Sequence, residues 1–203
     1  MKKTFKALLA VVLAVVMVFS LTACGAAKKA EKTVENYFTA LCNKEFDEAQ
    51  KYIKADEKEE ETTGGEEKKE DIANDAFSQY FFDTFKYEII ESEKADSKTV
   101  NVKIKLDTAD MTKILPEYLK YAIGLGFSAA FDETYTDEMV DKKLNDFMVA
   151  SLTSENTSRR QVEVTAKVVK IDGRWIIDAD EKFIDAMTGG MISVGNAMDE
   201  ANK

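Results

Sequence analysis

The sequence predicts an α+β fold, in which N-terminal helices pack on an antiparallel sheet interrupted by a helical insertion. Three observations carry this expectation. Residues 34–53 repeat apolar side chains at the spacing of a helix. "TVNVKIKL" alternates apolar and polar residues at period two, the pattern of a strand with one buried side. Asp172-Gly173 then separates two apolar-rich runs, a strong short-range signal for a hairpin turn. Helices grouped ahead of strands, rather than alternating with them, argue for α+β layering.

The chain opens "MKKTFK", three lysines and no acid, and continues in an unbroken apolar run from Ala7 to Phe19. A basic start followed by a short apolar run is the layout of a secretory signal. A helix crossing the hydrocarbon needs about 20 apolar residues, and Ser20 and Thr22 interrupt this run before that length. "LTAC", residues 21–24, resembles the bacterial lipobox, which implies a diacylglyceryl group on the sulfur of Cys24 and cleavage just before it. Two acyl chains anchor stably, because each buried methylene contributes about 0.8 kcal/mol. Residues 1–23 are therefore expected to be a lipoprotein signal peptide. Residues 24–32 are expected to be a lipidated tether, with Lys28, Lys29 and Lys32 against lipid headgroups.

A single α+β domain is expected over 33–188. Val34, Tyr37, Phe38 and Leu41 mark one face of a first helix, and Phe46, Ala49, Tyr52 and Ile53 continue it as a second short one. Residues 54–71 hold nine acids, four lysines and two adjacent glycines without a large apolar side chain, so a mobile loop is expected there. They lack the acid spacing of a calcium loop. Ile72, Ala76, Phe77, Tyr80 and Phe81 restart a helix that yields near Lys86 to the strand "KYEIIESE". "KADS" then connects to "KTVNVKIKLD", with Val100, Val102, Ile104 and Leu106 on one face.

The helical insertion covers 109–153. Its only proline, Pro116, is expected to start or kink a helix. Gly124 and Gly126 each cost about 1 kcal/mol inside one; this apolar stretch could line a cavity or touch lipid, but close packing against a neighbour is the expectation. "TDEMVDKKLNDFMVASL" reads as a second helix capped by Thr136, with Asp137 and Glu138 complementing its dipole. "RRQVEVTAKVVKIDGRWIIDAD" supplies two strands, with Val162, Val164, Ala166 and Val168 on one face and Trp175, Ile177 and Ala179 on the other strand's matching face. "EKFIDAM" is a last short helix, and 189–203 is expected to be a tail.

Charge and composition narrow the function classes. With 28 basic and 38 acidic residues the net charge is −10. Since the leader carries three lysines and no acid, the remainder is more acidic still. A nucleic-acid partner, which needs a basic footprint, is not expected. There is no histidine, which removes Ser-His-Asp and Cys-His nucleophiles and imidazole-bound zinc. No metal site and no cofactor are expected. With Cys24 lipidated, Cys42 has no disulfide partner and fits a buried structural thiol.

Three stretches, "VENYFTALCNKEFDEAQKYI", "FKYEIIESEKADSKTVNVKIKLD" and "VVKIDGRWIIDADEKFIDAMTGGM", resemble the nuclear-transport-factor-2-like fold, a curved antiparallel sheet wrapped around N-terminal helices. More narrowly, the chain resembles small Gram-positive lipoproteins that join that fold to a lipobox. The resemblance implies a cone that hosts both enzymes and non-catalytic modules. Its enzymes place an Asp base and a Tyr or protonated Asp in an apolar pocket. Here Asp178 and Asp180, with Tyr37, Tyr80 and Tyr87, are the residues available for such an isomerase- or dehydratase-like site. Parity, however, turns both acids away from the face of Trp175 and Ile177. The expectation is therefore a non-catalytic, extracytoplasmic lipoprotein held at the cell membrane by Cys24. It would bind an envelope protein or a small hydrophobic ligand in a pocket lined by Phe38, Phe81, Phe127 and Trp175.

Overall fold

The structure, a computed structural model, describes residues 25–54, 76–132 and 134–201. The N-terminal apolar run expected as a signal, Cys24 and all of the acidic run except Lys54 lie outside the described residues. The elements follow in the order α1 (25–42), α2 (Phe46–Ala49) with a 3-10 turn at Gln50–Tyr52, α3 (Ala76–Asp83), β1 (Lys86–Lys94), β2 (Thr99–Ala109), α4 (Met111–Phe131), α5 (Asp137–Thr153), β3 (Arg159–Ile171), β4 (Arg174–Ile177), α6 (Glu181–Met187) and α7 (Met191–Ala201). The fold is α+β, with one antiparallel sheet in the order β1-β2-β3-β4.

Period two places Val100, Val102, Ile104 and Leu106 of β2 on one face, and all four are fully buried. Across the register Val100 meets Val168 and Val102 meets Ala166, also fully buried. α1 lies on this face. Its Val34, Tyr37, Phe38 and Leu41 are buried, and Phe38 stacks on Phe85 and Tyr87 with centroids 5.4 and 4.8 Å apart. From α6, Phe183 and Ala186 close the same core. Burying an aromatic or branched aliphatic side chain contributes about 1.5–3 kcal/mol, so this layer of side chains holds helices to sheet.

α1 runs antiparallel to β1. Glu31 accepts a hydrogen bond from Ser92 near the end of β1, and the Thr39 and Tyr87 hydroxyls lie 3.3 Å apart near its start. The N-terminus of α1 thus sits at the β1–β2 hairpin. The α4–α5 insertion leaves and rejoins the sheet at the opposite end, because Ala109 pairs with Arg159. There Arg159 donates from Nε to Asp107 at 2.8 Å and from Nη2 to the Thr84 carbonyl at 2.6 Å, tying β3 to β2 and to the end of α3.

The turns have local causes. Asp172 and Gly173 have φ of 49° and 83°, both left-handed as a type I′ hairpin requires. Thr136 caps α5 by accepting from the Met139 amide. α6 ends in a paired closure, the Gly190 amide donating to Asp185 O at 2.7 Å and the Gly189 amide to Ala186 O at 3.3 Å. Gly189 (φ 68°) allows close approach, since a Cβ there would lie 2.2 Å from the Ala109 carbonyl oxygen.

Four expectations need correction. Residues 25–32, expected as a tether, are helical and belong to α1, and Ala30 is fully buried in the core. Pro116, expected to start or kink a helix, does not start α4 but sits in its second turn; the helix opens at Met111, where the Met111 amide bonds to Gly189 O. Gly124 and Gly126 serve no close packing, for a Cβ at either would meet nothing within 4 Å. The expected tail contains α7, whose Val194 and Met198 lie beside Pro116, Leu119 and Ile123 of α4.

Candidate functional site

β3 has 13 residues and β4 only four, so β4 pairs with β3 over Val168–Ile171 alone. Beyond that the outer edge of β3 is open. Backbone polar groups alternate sides along a strand, and two bonds set the phase. Lys167 O accepts from the Asp178 amide at 2.8 Å on the β4 side, while the Lys170 amide donates to Lys98 O at 2.7 Å on the β2 side. Odd-numbered residues therefore point outward. The main-chain N–H and C=O of Gln161, Glu163 and Thr165 face the open edge, and no bond from them to another described element is found.

Alongside that edge runs a groove of about 750 Å³ between β3 and the α6–α7 pair. Val162, Val164, Ala186 and Ile192 make its apolar surface, and Arg160, Asp180, Glu181, Lys182, Asp185, Ser193 and Asn196 surround it. Asp185 fixes the groove's walls. Its Oδ1 accepts from the Ser193 amide at 2.8 Å and its Oδ2 from the Ser193 hydroxyl at 2.9 Å, while the Arg160 guanidinium lies 3.4 Å from Oδ2. Gly190 leaves the space for that guanidinium: a Cβ there would lie 2.0 Å from Arg160 Nη1. Asn196 donates to Glu181 at 3.2 Å and joins α7 to the start of α6.

The structure does not bring the four expected pocket residues together. Phe38 and Phe81 are buried core, linked through Phe85. Trp175 is half-buried at the sheet's edge beside Lys29, Lys32, Lys51 and Arg174, and its carbonyl accepts from the Thr33 hydroxyl at 3.4 Å. Phe127 is 66% exposed on α4, whereas Phe38 and Phe81 are buried. The physical reason is that parity assigns a direction to each side chain, whereas the core between α1 and the sheet is filled by their neighbours. Cys42 is half-buried, and burial pushes its thiol pKa up, which keeps it protonated.

The Asp and Tyr residues weighed for proton transfer have other partners. Asp178 bonds to Lys167 Nζ at 2.7 Å, with Lys54 at 3.7 Å, and the Lys167 hydrogen bond holds its carboxyl below the usual range. That shift is opposite to the one an apolar pocket imposes on a carboxyl. Asp180 caps α6 by accepting from the Phe183 amide at 2.8 Å. Burial pushes the Tyr37 hydroxyl up, and it donates to Met187 Sδ at 2.9 Å.

Sequence reasoning missed Arg160, Asp185, Ile192 and Ser193. One signal was present but weak: Arg160 shares the parity of Val162 and Val164. Among the described residues no cluster of acids or cysteine has metal-binding geometry, and no helix is long and apolar enough to cross a membrane. No protein family, curated protein or solved structure matches the chain.

Proposed function

We propose that this chain is an extracytoplasmic lipoprotein, anchored through Cys24, whose domain is a non-catalytic binding module with the β3–α6–α7 groove as its site. The observation that carries the reading is the groove itself, an apolar floor with a polar, hydrogen-bonded rim and an unpaired strand edge beside it. Pockets with an apolar surface and a few placed polar groups are the usual form of binding sites. The nuclear-transport-factor-2-like resemblance is supported to the extent that α1 and α6 pack on one face of an antiparallel sheet. An Asp/Tyr enzyme has no comparable support, since Asp178 is ion-paired and Asp180 caps a helix.

The anchor reading agrees with the placement of charge. On α1 the exposed Lys28, Lys29 and Lys32 share the hairpin end of the domain with Arg174 and Trp175. A basic patch with an adjacent indole is suited to a phospholipid surface.

A photo-crosslinking residue at Ile192, in the full chain in its own cells, tests the groove. A defined adduct at Ile192 that is missing from the same probe at Lys98 supports the reading. Equal labelling at both positions would sink it. For the anchor, Cys24→Ser should release the protein from the membrane fraction; full retention would reject lipidation.

A further inference from the structure

The groove has a feature that a small apolar ligand does not use. Three alternate residues of β3, Gln161, Glu163 and Thr165, direct six main-chain polar groups at it, and these have no partner among the described elements. A small apolar molecule seated there would strip their water and return no hydrogen bonds, which is costly. An extended main chain would return them. We propose that the open edge of β3 takes an extended peptide segment of a partner protein as an added strand, continuing the line of β4. The proposal rests on the groove reading above and names its occupant.

Geometry and charge define the segment. Gln161 to Thr165 spans about 13 Å at the rise of a strand, so five partner residues match the edge. Side chains of an added strand alternate, and those turned toward the helices meet Val162, Val164, Ala186 and Ile192. The segment therefore carries apolar residues at alternate positions. Around the groove Arg160 is ion-paired to Asp185, leaving the Asp180 and Glu181 carboxylates against the Lys182 ammonium. Glu163 contributes main chain only, because its carboxylate crosses to Lys103 on the other face at 2.8 Å. On a chain of net charge −10, this rim favours a segment with basic residues flanking the apolar ones. The same charge disfavours a second copy of the chain, which would bring like carboxylates edge to edge.

The test uses a library of nine-residue peptides displayed on phage, panned against the full-length chain in detergent micelles. Enriched sequences should alternate apolar residues and carry lysine or arginine at the flanks. Synthetic versions N-methylated at the pairing positions should bind at least tenfold more weakly, since they lack the donors but keep charge and side chains. Glu163→Pro, which removes one outward N–H, should weaken binding similarly, while Glu163→Gln should not. Ile192→Asp, which leaves the strand's main chain intact, supplies an independent block of the apolar floor. Peptides that bind in the groove but tolerate N-methylation would overturn strand addition while leaving the groove as a binding site. A panel with no binder sensitive to Ile192→Asp would overturn the peptide proposal, and the crosslinking at Ile192 then judges the groove by itself. A dimer in sedimentation that Glu163→Pro makes monomeric would assign the edge to a second copy instead and overturn the proposal.

Discussion

Phe38 and Phe127 are identical side chains that the sequence placed in one pocket, and their surroundings make them differ in consequence. Phe38 is fully buried among Tyr37, Phe85, Tyr87 and Phe183. Phe38→Ala should cost about 3–5 kcal/mol by urea denaturation. Phe127→Ala, on an exposed helix face, should move stability by less than about 0.5 kcal/mol. Comparable losses from both would mean that Phe127 is covered in solution. Lys44 offers the opposite case. It is left-handed, with φ 63°, at the end of α1, where its amide bonds to Leu41 O and the Glu45 amide bonds to Ala40 O. Glycine takes that conformation without a steric penalty. Lys44→Gly should therefore raise stability by about 1 kcal/mol, less the small contribution of its exposed ion pair with Asp83. Nothing in "CNKEF" announces a left-handed Lys44, because the asparagine, which takes that conformation more readily, stands one position earlier at 43.

At the scale of elements, α4 and the α6–α7 turn use glycine for unrelated reasons. Gly124 and Gly126 face open space in a 21-residue helix. Alanine at each should stabilise by about 0.5–1 kcal/mol through helix propensity, read as a higher thermal midpoint. A loss instead would show that a partner approaches those glycines closely. Gly189, by contrast, has a left-handed φ, and its Cβ position falls on the Ala109 carbonyl. Gly189→Ala should cost about 2–3 kcal/mol, and it should separate α7 from the start of α4. Glycine count and local pattern do not distinguish these cases. The difference comes from residues some 80 positions away in sequence. The strands were more legible: alternation in β2 and the Asp172-Gly173 turn located both hairpin strands and their buried faces. β4's shortness, which opens the edge of β3, was not visible, since "RWIIDAD" continues the same parity past Ile177.

For the whole molecule, the absence of histidine shapes the response to pH. No imidazole titrates between pH 5 and 8. Burial pushes the Asp107 and Asp110 carboxyls up, but hydrogen bonds outweigh it and both end lowered; Gln161 and Arg159 act on Asp107, Thr112 and Lys113 on Asp110. Asp178 is lowered by Lys167. A carboxyl whose folded pKa is depressed stabilises the fold above its unfolded value, near 3.9, and loses that contribution as pH falls through the folded value. Cys42 has the opposite sign. Its thiol is raised by burial, so its contribution is complete below the unfolded thiol pKa, near 8.5, and is lost above it. The urea midpoint should thus be flat from about pH 5.5 to 8 and fall below about pH 4. A step near pH 6.5 would contradict this account of the titrating groups.

The α+β class, the faces of α1, β2 and β3, the hairpin turn, the cap on α5 and the exclusion of histidine-dependent chemistry were all legible in the chain before folding. These follow from local periodicity, turn stereochemistry and composition, all of which act over a few residues. Packing settled what meets what. It filled the space expected for a pocket with Phe38, Phe81 and Phe85, and it gave Asp178 to lysines and Asp180 to a helix end. It also set Arg160, Asp185 and Ser193 together along the open edge of β3. Such convergence depends on where α6 and α7 come to rest against a strand, and packing between distant segments decides that.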